Sequence, residues 1–83
     1  MEQEARQKIK LPGVSQISIR DEYIKLDALL KYASIVSTGG EAKMLIQNEE
    51  ILLNGEICTI RGKKIKAGDI VRYGNQILIV RTK

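Results

Sequence analysis

Apolar positions along this chain change their spacing twice, and each change marks a new kind of element. Residues 1–13 show no sustained period and end on Pro12-Gly13, a turn dipeptide. They predict a loose tail, which leaves residues 14–83 as one domain. From Val14 to Arg20, polar and β-branched residues alternate imperfectly, which predicts a strand. Leu26, Leu29, Leu30 and Ala33 then recur at the i, i+3, i+4, i+7 spacing of one buried helical stripe. Asp27 near its start and Lys31 near its end suit the helix dipole. Thr38-Gly39-Gly40-Glu41 has the Thr-x-x-Glu spacing of a capping box. It predicts a second helix over about Gly40–Asn48, with Ala42, Leu45 and Ile46 as its stripe. After that the period shortens to two. Ile51 and Leu53, the turn dipeptide Asn54-Gly55 and Ile57 predict a hairpin with a type I′ turn. Gly62 and Ala67-Gly68-Asp69 are further turn signals. Ile70, Val71 and Tyr73, the turn Gly74-Asn75, and Ile77–Val80 predict the last two strands. The expected fold class is α+β: two short helices packed on a small bent, mostly antiparallel sheet.

Composition narrows the chemistry. The 83 residues include three Tyr, no Phe and no Trp, so the core must be built from Ile, Leu, Val and Ala. There is no His, which removes the commonest general acid–base and metal ligand. The single cysteine, Cys58, offers neither a disulfide nor metal-ligand spacing, and its alternating surroundings suit a small core residue. No Gly-Lys-Ser/Thr follows Gly39-Gly40, so a nucleotide-binding loop lacks its parts. No enzyme, cofactor, metal or small-molecule substrate is expected. No apolar run reaches the 18 residues of a membrane span, and the N-terminus lacks a signal-like apolar stretch. A cytoplasmic protein is expected.

The net charge of +4 favours an anionic partner only weakly. Its distribution says more. Residues 61–66 read Arg-Gly-Lys-Lys-Ile-Lys, four cations and no acid, while Asp21, Glu22, Asp27, Glu49 and Glu50 lie elsewhere.

With these elements in place, the segment Lys25–Asn54 resembles the αL RNA-binding motif, the module named after ribosomal protein S-four. That family reads Arg-Leu-Asp-x-x-Leu, then Ser-Arg in a loop, then Ala-Arg-x-Leu-Ile, then a Val-x-Val-Asn-Gly turn. Here Lys25-Leu26-Asp27-Ala28-Leu29-Leu30 stands at the first element and Thr38-Gly39 at the Ser-Arg. Ala42-Lys43-Met44-Leu45-Ile46 matches the second helix, and Ile51-Leu52-Leu53-Asn54-Gly55 the turn. Gly62-Lys63-Lys64-Ile65 and Ala67-Gly68-Asp69-Ile70-Val71 match the later Gly-x-x-Val and Gly-Asp-x-Ile. The spacing runs without gaps from Lys25 to Val71, more than half of the chain. The Gly39-Gly40 pair, the preceding strand and the short length look closer still to the YaaA-type stand-alone bacterial proteins. Two positions depart from the pattern: Gly39 replaces the loop Arg, and Glu49 replaces a usual Gly.

The resemblance implies a bacterial protein that binds structured RNA; a monomer is expected. Ribosomal RNA or the assembling large subunit is the implied target, in ribosome assembly or translation. A-form RNA hides its bases in a deep major groove, so proteins meet its phosphates, its shape and its 2′-hydroxyls. That calls for cations on a rigid face. The candidate contacts are Lys25, Lys43, Arg61, Lys63, Lys64 and Lys66, with Tyr32 as a stacking ring. Thr38, Gly39 and Gly40 can offer backbone amides at a helix end, and Asn54 belongs to the matched turn. Each has a plainer alternative. The glycines can form a tight interhelical turn, Tyr32 can cap the helix pair, and the 61–66 cluster can be a solubilising loop. The sequence alone is compatible with a second function class. With Gly39 in place of Arg and the acids Glu49 and Glu50 added, the same fold can serve as a protein adaptor. An edge-strand contact through Ile77–Val80 would be its route.

Overall fold

The apolar stripes become helices of two turns or a little more. The computed structural model describes residues 13–83. The expected tail 1–13 lies outside them except for Gly13, which opens strand β1 (Gly13–Ile19). Helix α1 covers Leu26–Tyr32 and buries Leu26, Leu29 and Leu30. Ala33, expected to continue the stripe, is its half-buried C-cap. Helix α2 covers Gly39–Gln47 and buries Ala42 and Ile46, with Leu45 half-buried beside them.

The remaining strands are β2 (Ile24–Lys25), β3 (Ile51–Leu53), β4 (Glu56–Ile57), β5 (Lys64–Ile65), β6 (Ile70–Tyr73) and β7 (Gln76–Thr82). They form a five-stranded sheet in the order β1-β7-β6-β3-β4 and a two-stranded ribbon of β2 and β5. All pairings are antiparallel except β1–β7, which runs parallel from Gly13↔Gln76 to Ile19↔Thr82. Strand β7 is therefore flanked on both sides. This overturns the expectation of an edge contact through Ile77–Val80, because β1 already occupies that edge. Its nearly continuous apolar run is that of an interior strand, with Leu78 and Val80 buried and Ile77 and Ile79 half-buried.

One face of the sheet carries Ile19, Ile51, Val71, Leu78 and Val80 into a core shared with both helices. Burial of each such aliphatic side chain contributes about 2 kcal/mol. Cys58 is buried at the margin of that core, as its alternating surroundings predicted. The two predicted hairpins form with two-residue loops. Leu53↔Glu56 brackets Asn54-Gly55, and Tyr73↔Gln76 brackets Gly74-Asn75. Asn54 (φ 51°) and Gly55 (φ 90°) both adopt the left-handed conformation that a type I′ turn requires.

Both helices end in the same way. After α1, Ile35 N–H donates to the Leu30 carbonyl (2.9 Å) and Ser34 N–H to that of Lys31 (3.0 Å). After α2, Glu50 N–H donates to the Leu45 carbonyl and Glu49 N–H to that of Ile46, both at 3.1 Å. These paired bonds are Schellman closures, whose left-handed position usually holds Gly. Here it holds Ser34 and Glu49, each at φ 63°. Glu49 thus departs from the family pattern at the residue where a side chain is strained. A non-Gly residue in this region carries about 1–2 kcal/mol of strain, offset in part by the greater freedom of Gly in the unfolded chain. Glu49→Gly and Ser34→Gly should each stabilise the domain by about 0.5 kcal/mol, read as a rise of a few degrees in thermal midpoint.

Candidate nucleic-acid interface

The first helix has no side-chain cap. Its N-cap is Lys25, which has no acceptor to offer the first-turn amides. Those amides are satisfied by the basic segment instead. Leu26 N–H donates to the Lys63 carbonyl (2.9 Å) and Asp27 N–H to the Arg61 carbonyl (3.1 Å). Strand β5 then pairs with β2, and buried Ile65 anchors the segment in the core. Residues 61–66 are therefore held to the start of α1 by backbone bonds and one apolar anchor. Sequence reading expected this segment to fold beside the helices but missed the β2–β5 ribbon, whose strands are two residues each.

The ribbon sets the electrostatics. Ile24 pairs with Ile65, and Lys25 pairs with Lys64. Directly opposed residues in an antiparallel pair lie on one face with their Cβ atoms about 5 Å apart. Two exposed ammonium groups thus share that face, and like charges so placed cost a few tenths to about 1 kcal/mol. The Lys64 ammonium lies 4.8 Å from the centroid of the Tyr23 ring, a cation–π contact. Lys63 and Lys66 are exposed on either side.

Arg61 turns the other way. Its Nε donates to Asp27 Oδ2 at 3.1 Å, an ion pair about half open to solvent on the arginine side. Its Nη2 reaches Gly39, where an added Cβ would stand 3.5 Å from it. The loop position that lacks its own cation therefore has the guanidinium of Arg61 beside it.

At the start of α2 the capping box is complete. Glu41 N–H donates to Thr38 Oγ1 (3.1 Å), and Glu41 Oε1 accepts from the amides of Thr38 (3.3 Å) and Ser37 (2.7 Å). Gly39 and Gly40 form the first turn, ahead of the first intrahelical bond from Ala42 N–H to the Thr38 carbonyl. The Glu41 carboxylate lies close to these amides, so an anion approaching them meets a negative charge already in place. Lys43 stands exposed in the second turn of α2.

Two expected residues lie apart from this group. Tyr32 ends α1, and its hydroxyl donates to the Ser18 carbonyl of β1 at 3.4 Å. Asn54 is tied into the turn: its Nδ2 donates to Asp69 Oδ1 (3.1 Å), and its Oδ1 accepts from Ile70 N–H (2.9 Å). Asp69 Oδ2 in turn accepts from Lys66 N–H (2.8 Å). Asp69 thereby braces the exit of the basic segment against the β3–β4 turn. Nothing local to Asp69 marks it as a brace, although Gly68-Asp69 falls within the family pattern. Among the described residues no group of three or more metal-ligating side chains occurs, and no helix is long and apolar enough to cross a membrane.

These features agree with two comparisons. A family model described as S4 domain matches residues 17–81. A "Probable ribosome maturation protein RlbA" from Bacillus subtilis (strain 168) is 42% identical over 55 residues, which are 66% of this chain and 78% of that protein.

The bonding of Asn54 yields a stability expectation. Asn54→Ala removes two side-chain hydrogen bonds, each worth about 0.5–1.5 kcal/mol net, and leaves a Cβ residue in the left-handed region. It should cost about 2 kcal/mol in chemical denaturation.

Proposed function

Because the chain belongs to the S4-domain family, we propose that it is a small RNA-binding protein that contacts structured RNA, with ribosomal RNA of a maturing large subunit as its target. The observation that carries this reading is the opposed pair Lys25–Lys64, on a ribbon bonded to the start of α1. A solubilising loop would gain nothing from rigid backbone bonds or from like charges facing one another. A phosphate between two ammonium groups turns that repulsion into two charge-assisted contacts. The ribosome-maturation name of the Bacillus relative supports the assignment of the target.

In this reading Lys25, Lys63, Lys64 and Lys66 meet the phosphate backbone. Arg61 takes the place of the loop cation absent at Gly39: Asp27 holds it, and guanidinium N–H groups beyond the Asp27 bond are left to donate. Lys43 extends the surface along α2. Thr38, Gly39 and Gly40 keep this approach narrow and free of bulky side chains. Asn54 contributes by fixing the turn that Asp69 braces. The protein acts by binding, without a catalytic step or cofactor, as a cytoplasmic monomer.

Binding should be electrostatic and strongly salt-dependent. With about four phosphates neutralised, the logarithm of the affinity should fall with the logarithm of salt at a slope of about −3 to −4. Raising salt from about 50 to 200 mM then weakens binding by roughly 100-fold. Lys63→Glu combined with Lys64→Glu should abolish retention of purified large-subunit ribosomal RNA and leave the circular-dichroism spectrum unchanged. Undiminished binding by that double variant would sink the proposed surface. A wild-type protein that retains no RNA yet co-isolates with a defined protein would favour the adaptor reading.

A further inference from the structure

The chain holds few aromatic residues, yet two of its three tyrosines line one cleft. Tyr23 and Tyr32, 36% and 62% exposed, border a cleft of about 370 Å³ with Arg20, Asp21, Ile24 and Lys83. That volume lies in the range of small-ligand pockets, about 300–1,000 Å³. A tyrosine committed to the core would bury about 150–250 Å². Tyr32 leaves most of that area in water and Tyr23 about a third of it, while the core is closed by aliphatic residues.

Both rings are held in place. Tyr32 is tethered through its hydroxyl to the Ser18 carbonyl. Tyr23 is held from one side by the Lys64 ammonium. Arg20 and Lys83 bring two cations to the cleft, and Asp21 brings one carboxylate, which offsets part of that charge and can accept hydrogen bonds. Lys64 is also the cation paired with Lys25 across the ribbon. The cleft therefore adjoins the basic surface through the contact of Tyr23 with Lys64.

We propose that this cleft takes one unstacked base of the bound RNA, its face against Tyr32, the more exposed ring, with Tyr23 beside it and its phosphate on Arg20 and Lys83. Asp21 then accepts from a base amino group or the ribose 2′-hydroxyl. The inference rests on the RNA-binding reading and adds what the basic ribbon alone does not supply: a preference for RNA with a bulged or looped-out nucleotide. Ring stacking tolerates any base, so the cleft selects an unpaired nucleotide and not a sequence. Rings fixed before binding reduce the ordering cost of that contact.

Ultraviolet crosslinking of the full chain to purified large-subunit ribosomal RNA, followed by mass spectrometry of the peptides, tests this directly. Nucleotide adducts are expected on Tyr23 or Tyr32. Tyr32→Ala should weaken binding about tenfold with the salt slope unchanged, because no charge is lost, and Tyr32→Phe, which keeps the ring and loses only its tether, should bind more tightly than Tyr32→Ala and a little less tightly than the wild type. Adducts confined to residues 61–66, or a Tyr32→Ala variant that binds as tightly as the wild type, would overturn the cleft and leave the basic surface standing. Failure of the wild-type protein to retain the RNA would overturn both.

Discussion

The backbone bonds that cap α1 are the constraint on which the site depends. A helix start leaves amides that need partners, and Lys25 at the N-cap cannot supply one. The carbonyls of Arg61 and Lys63 do so, from far along the chain. The helix thereby gains its cap, and the basic segment gains a fixed position. A Ser or Asp at the N-cap could have taken the Asp27 amide locally and removed one of the two bonds that tie the segment to the helix start. A lysine there leaves helix and loop dependent on one another and places its own charge on the surface they form.

That arrangement puts local stability in tension with function. Lys25 faces Lys64, and Ser34 and Glu49 occupy left-handed positions. The first conflict lies in the proposed contact surface, where a bound phosphate would relieve it. The two left-handed residues close the helices that carry that surface. The aliphatic core on one face of the sheet offsets these costs. In a domain this small, only about 60% of the unfolded chain's surface is buried, so such costs matter.

Local features were legible in the sequence. The stripes of α1 and α2, the Thr38–Glu41 capping box and the two-residue turns at Asn54-Gly55 and Gly74-Asn75 each follow from neighbouring residues. Non-local features were not. No periodicity indicates that β7 lies between β6 and a parallel β1, which is why Ile77–Val80 read as an edge. A ribbon of two-residue strands is too short to leave a pattern. The approach of Arg61 to Gly39 joins residues separated by the whole second helix and hairpin. Tyr23 gave no signal of its own, since a lone tyrosine before a helix is unremarkable until Tyr32 is seen beside it. The candidate cations were legible as a cluster, but their opposition across a ribbon was not.

The parallel pairing of β1 with β7 also governs the order in which the molecule can form. Every residue of β1 finds its partner in β7, the last described strand, from Gly13↔Gln76 to Ile19↔Thr82. The helices and the β3–β4 and β6–β7 hairpins close over short loops and can form early. The first described strand must wait until β7 has left the ribosome. Contacts of such long sequence separation slow folding. Until β1 docks, one flank of β7 is an open hydrogen-bonding edge, so a nascent or partly unfolded copy is exposed to strand exchange with another through the strand that the native molecule keeps inside.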